Sequence, residues 1–218
     1  LQSLPNAIQT MLDPADCGPA CISLCQDIQG ETFDYPEEFF KERFHNIRRP
    51  RPDDFQIKEA AEKIKNSKNP IIISGGGVFY SEAMDDLATF ASKHNIPVTQ
   101  TVMGYSTMKR DHSHFLGPIG GLGGKAANNF AKKTDLAIAV GTKLGDFTTG
   151  SWANFENSNF GLVSVNVTRF DASKHMAQSV VGDAKVSLKE LSQALGDWKA
   201  SDDWYKKSRE ELKLWNEY

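Results

Sequence analysis

The residues best suited to chemistry are glycines at the ends of apolar runs. Ile71-Ile72-Ile73 leads into Gly75-Gly76-Gly77. Glycines at the carboxyl end of a parallel strand let backbone N–H groups approach a phosphate, helped by the N-terminus of the next helix. The dinucleotide fingerprint needs a further glycine at position 80, which is Tyr80, so a tight turn without a ligand stands beside a nucleotide contact. Gly117 and Gly120 open a second glycine-rich stretch. Within it, Gly121-Leu122-Gly123-Gly124-Lys125-Ala126 fits G-x-G-x-x-A in letters. The fingerprint requires a strand just before it, and residues 114–120 are not expected to form one. The P-loop pattern fails too, with Ile119 at its first glycine and Ala126 in place of Ser or Thr. Gly141-Thr142-Lys143 ends a third apolar run, where Lys143 would neutralise a phosphate or stand on the surface, and Asn166 falls near the end of a fourth.

Other groups carry less. His112 and His114 form an H-x-H pair beside Asp111, without a third ligand at a defined spacing, so no metal site is expected. Cys17, Cys21 and Cys25 would line one helix face, but Gly18-Pro19 interrupts it. They read as buried small residues; an odd, clustered set is no disulfide framework and points to a reducing cytoplasm. Gly150-Ser151-Trp152 lacks the spacing of a nucleophile elbow. No catalytic or metal-ligating residue is assigned.

The elements that must position the glycines follow from periodicity. Residues 1–29 read as a helix over 4–12, a turn at Asp13-Pro14 and a strand over 20–28. Residues 30–53 form a connector ending in Arg48-Arg49-Pro50-Arg51-Pro52, whose prolines favour extended backbone and a domain boundary. Residues 54–196 alternate: apolar runs at 71–73, 97–101, 136–140, 162–167 and 179–181 read as strands, and 57–64, 125–133 and 186–195 as helices. Ser81, with Glu82, Asp85 and Asp86 after it, reads as a further helix N-terminus. Short, nearly all-apolar strands between helices predict an α/β fold with a doubly wound parallel sheet. Residues 197–218 form a charged helix carrying Trp198, Trp204, Leu212 and Trp215, expected to pack on something outside this chain.

The 218 residues carry 25 basic against 28 acidic side chains, for a net charge of −3. That balance asks for neither nucleic acid nor an anionic membrane as partner, and no apolar run is long enough to span a bilayer. The chain opens on Leu1, so a piece of a longer protein is expected.

The ordered set of motifs resembles the middle domain of thiamine-diphosphate (ThDP) enzymes. It comprises Asn69-Pro70-Ile71-Ile72-Ile73-Ser74-Gly75-Gly76-Gly77, Ile96-Pro97-Val98, Gly117-Pro118-Ile119-Gly120, Asp135 through Thr142, and Gly182-Asp183-Ala184. Residues 1–29, through Gly18-Pro19 and Gln26-Asp27-Ile28-Gln29, resemble the end of the preceding pyrimidine-binding domain. A narrower resemblance is to the trihydroxycyclohexane-dione hydrolases of myo-inositol breakdown. It rests on Leu12 through Ala20, Phe33-Asp34-Tyr35-Pro36-Glu37, Arg48 through Pro52, and Phe147-Thr148-Thr149-Gly150-Ser151. The resemblance implies a homo-oligomeric parent enzyme using ThDP and Mg²⁺. Such an enzyme cleaves a ring C–C bond of the dione with the thiazolium as electron sink, and water releases 5-deoxyglucuronate. It also implies that the activating glutamate and the metal motif, G-D-G with an asparagine pair, lie in other domains. Here Ala184 follows Gly182-Asp183, and residues 197–218 lead towards the diphosphate-binding domain. Some relatives hold FAD or an ADP moiety at positions matching Gly75, Gly76, Gly77, Gly117, Gly120, Gly141, Thr142, Lys143 and Asn166. Where an acidic residue follows the fourth strand in such relatives, this chain has Asn166-Val167-Thr168. A vestigial groove in a chain that is inactive alone is therefore the favoured expectation; the alternatives are an FAD- or ADP-binding central domain of an acetohydroxyacid synthase-like ThDP enzyme and a stand-alone nucleotide-binding module.

Overall fold

Consecutive isoleucines suit a strand buried on both faces of a covered parallel sheet, and Ile71–Ile73 occupy that place. The computed structural model describes residues 2–217, which divide into two compact units at Arg48/Arg49.

In the first unit α1 covers Ser3–Leu12. Asp13 ends it, its Oδ1 accepting the amides of Ala15 and Asp16 and its Oδ2 accepting Arg48 Nη2 at 2.8 Å. These bonds, those from the amides first, hold its carboxyl below the usual carboxylate range. The strand expected over residues 20–28 does not form: the segment is irregular up to a 3₁₀ turn at Ile28–Gly30. A strand needs a neighbour for its amides and carbonyls, and the structure pairs this segment with none. The three cysteines, expected to be buried, are exposed.

The second unit begins with α2, Asp54–Lys65, capped by Asp53, whose carboxylate accepts the Phe55 amide. There follow β1 (Pro70–Ser74), α3 (Gly76–Tyr80), α4 (Met84–His94), β2 (Val98–Gln100) and β3 (Phe115–Pro118). Then come α5 (Lys125–Ala131), β4 (Leu136–Val140), α6 (Asp146–Thr149), β5 (Gly161–Asn166), α7 (Arg169–Ser173), β6 (Gln178–Val181), α8 (Ala184–Leu195) and α9 (Asp202–Asn216). The described residues make a six-stranded, all-parallel sheet in the order β3-β2-β1-β4-β5-β6. That is the doubly wound order, and the winding reverses between β1 and β4. Ile72, Ile138, Val163 and Val165 pack with α2, α4 and α8 on one face. Ile71, Ile73, Ala137 and Ala139 pack with Phe130 and Trp204 on the other.

Three local expectations change. β3 exists where no strand is expected. Ser81 closes α3 rather than opening α4, which starts after Ala83 without a side-chain cap. The C-terminal helix has a partner within this unit: the Trp204 ring stacks on Phe130 at 4.0 Å and its Nε1 donates to the Pro70 carbonyl at 2.8 Å. The connector also reaches further into the fold than its prolines indicate. The Asp183 amide donates to the Pro50 carbonyl at 2.8 Å, and residues 49–53 belong to the second unit.

Candidate functional site

All nine candidate residues come together at the carboxyl edge of the sheet, in or beside the turns after β1, β3, β4 and β5. At the reversal point, where such sheets open a ligand crevice, the turns after β1 and β4 meet. Gly75 donates its N–H to the Val140 carbonyl at 2.9 Å, and Gly77 donates to the Gly141 carbonyl at 2.9 Å. A Cβ on Gly75 would lie 2.4 Å from the Gly141 oxygen, and one on Gly77 would lie 2.6 Å from the Gly141 Cα. Gly141 has φ +60°. These glycines let the β1 and β4 turns touch backbone to backbone, and two amides that could have faced a phosphate are spent on that contact. Gly76 sits against the carbonyl of Met103 instead.

Asn166 fastens the next turn. Its Nδ2 donates to the Thr142 carbonyl at 3.3 Å, and its Oδ1 accepts the Thr168 amide at 3.0 Å. Thr142 is buried and Lys143 is exposed beside it.

The second glycine stretch does have the strand–turn–helix setting that its letters require, β3 before it and α5 after it. The amides of Gly120, Gly121, Gly123 and Gly124 are nevertheless committed. Gly121 donates to Phe147, Gly123 to Gly120 and Gly124 to Pro118, each at 2.8 Å. Gly120 has φ +103°, and a Cβ there would fall 2.2 Å from the Phe147 oxygen. Asn128 completes the lock: its Oδ1 accepts the Gly120 amide at 2.9 Å and its Nδ2 donates to the Gly120 carbonyl at 3.0 Å. Gly117 lies in the last residues of β3 with open space beside its Cα.

Sequence reasoning missed Asn128, Gly104 and the work of Asp183. A Cβ on Gly104 would meet the Ser74 oxygen at 2.2 Å. Asp183 accepts the amides of Lys185 and Val186 through Oδ1, capping α8, while Oδ2 accepts Arg49 Nη1 at 3.1 Å. The presence of Arg49 in the boundary motif was the available signal, but nothing local ties it to position 183.

The histidine pair lies at the opposite, amino edge. His114 Nε2 meets Asn95 Oδ1 at 3.2 Å, and its ring packs on Tyr205 at 4.7 Å. Burial, followed by the positive charges of His112 and Arg209, pushes its pKa down to about 4. Among the described residues no group of three or more His, Cys, Asp or Glu side chains is placed to hold a metal ion. The carboxylate nearest to the diphosphate motif in letters, Asp183, is committed on both oxygens. Among the described residues no helix is long and apolar enough to cross a membrane.

A six-stranded doubly wound sheet with closed glycine turns defines a Rossmann-like domain. The family model for the central domain of thiamine pyrophosphate enzymes matches residues 57–191, and this chain belongs to that family. It is similar to the 3D-(3,5/4)-trihydroxycyclohexane-1,2-dione hydrolase of Clostridium perfringens strain 13, at 47% identity over 195 residues, 89% of this chain and 30% of the relative. The enzyme of the same name from Geobacillus thermodenitrificans is 43% identical over 198 residues, 91% of this chain and 31% of the relative. That from Bacillus velezensis is 40% identical over 215 residues, 94% of this chain and 33% of the relative. The chain thus spans about a third of the length of the curated relatives it matches.

Proposed function

We propose that this chain is the central part of a longer ThDP- and Mg²⁺-dependent hydrolase. That enzyme opens the ring of trihydroxycyclohexane-1,2-dione to 5-deoxyglucuronate, in the cytoplasm and as a homo-oligomer. In this reading residues 1–29 are the end of a pyrimidine-binding domain, 30–53 a connector and 54–196 the central domain. Residues 197–218 lead towards the diphosphate-binding domain. The chain alone is structural and inactive, and its groove binds no nucleotide. The observation that supports the structural role is the close approach of the turns at the reversal point: Gly75 and Gly77 spend their amides on Val140 and Gly141. The names of the relatives support the reaction. The test is the protein encoded by the complete gene, supplied with ThDP and Mg²⁺. ThDP-dependent conversion of the dione to 5-deoxyglucuronate is expected, and a complete protein without it would overturn the reading.

A further inference from the structure

Large apolar side chains crowd one edge of the second unit. Phe79 and Tyr80 follow β1, Met103 follows β2, Leu122 follows β3, Phe147 follows β4 and Phe170 follows β5. They are between 53% (Phe79) and 75% (Tyr80) exposed. Five carboxyl-end turns thus each present an apolar group to solvent, and exposed apolar groups gathered at one edge mark an interface.

The unit's entry and exit lie at the same edge. At the entry, the Pro50 carbonyl accepts the amide of Asp183, just past the carboxyl end of β6, and Arg49 Nη1 donates to the Ser81 carbonyl at 2.6 Å, just past α3. At the exit, α9 starts by the amino ends of the strands, where Trp204 bonds Pro70 and Tyr205 Oη donates to the Ser113 carbonyl. It finishes with Trp215 Nε1 3.4 Å from where a Cβ on Gly124 would stand, and the Gly124 amide donates to Pro118 at the carboxyl end of β3. In the Clostridium perfringens relative more than twice as much chain lies outside the match as within it.

We propose that this apolar rim is the docking face for the chain that continues from α9 in the longer protein, so that the next domain folds back over the turns after β1 to β5. This rests on the reading above. Chain leaving α9 is already tethered at the rim, which raises its effective concentration there, and interfaces between domains bury surface of this mixed apolar kind.

The experiment is diazirine footprinting, read residue by residue by mass spectrometry, on the 218-residue chain and on the product of the complete gene. Labelling of Met103, Phe147 and Phe170 should fall about fivefold or more in the complete protein, as in the dry core of an interface. Labelling of Phe55, exposed on α2, should change little. A drop at the rim no larger than that at Phe55 would overturn the proposal. So would rim labelling of the 218-residue chain that is already low and rises on dilution, since a second copy would then be the occupant. Rim protection in a complete protein that shows no ThDP-dependent turnover would sustain the docking face and remove the catalytic reading.

Discussion

Arg49 Nη1 stands 3.1 Å from Asp183 Oδ2, across 134 positions of sequence. The other oxygen of the same carboxylate caps α8. One buried side chain therefore starts a core helix and pins the chain's entry into the second unit. Asp183→Ala removes both and should cost about 2–3 kcal/mol, the sum of a lost cap and a lost charged hydrogen bond. Asp183→Asn keeps a capping oxygen and should cost about 1 kcal/mol. Chemical denaturation midpoints of the two variants check this, and equal losses would contradict the double role.

The glycines separate into those that mediate contact and those that do not. Gly75→Ala and Gly77→Ala drive a Cβ into the backbone of Gly141 and should each cost about 2 kcal/mol or more. Gly145 has nothing within 4 Å of its Cβ position and ordinary φ, so Gly145→Ala should stay within about 0.5 kcal/mol of the parent. Thermal unfolding of the three variants reads the difference.

Acid should weaken the second unit through His114. Its folded pKa, about 4, is below its unfolded value, about 6.5. Between those values the unfolded chain binds more protons, so stability is full above pH 6.5 and is lost as pH falls towards 4. His94, buried and shifted the same way by burial, adds to the trend. Allowing for solvent screening, the His114 share should be about 1–3 kcal/mol at pH 4. His114→Asn should flatten the fall in melting temperature between pH 7 and 4.5; an unchanged slope would contradict the assignment.

Trp204 decides whether α9 belongs to this domain. Trp204→Ala should cost about 3–5 kcal/mol, as for other buried large side chains. Trp204→Phe keeps the stack on Phe130 but leaves the Pro70 carbonyl without its donor, at about 1–2 kcal/mol. Near-parent stability of the alanine variant, measured by denaturant unfolding, would mean that the helix is only a tail.

The alternation of apolar runs made β1, β4 and β5 legible, because strands buried on both faces need no partner information to be read. β3 was hidden because Gly117 and Pro118 interrupt its pattern and it pairs on one side only. The segment over 20–28 misled for the opposite reason: its letters suit a strand, but pairing depends on a neighbour. The glycine turns were legible as a place and not as a role. Whether an amide faces a ligand or another turn depends on partners such as Val140 and Phe147, far away in sequence. Asn128 and Asp183 act through equally non-local contacts, and no spacing rule singles them out.

On the proposed reading, this chain carries the scaffold of a ThDP hydrolase without its chemistry. The most direct measurement is dione consumption by the purified 218-residue chain with saturating ThDP and Mg²⁺. The account expects a rate equal to that without protein; turnover above that background, abolished by omitting ThDP, would contradict it.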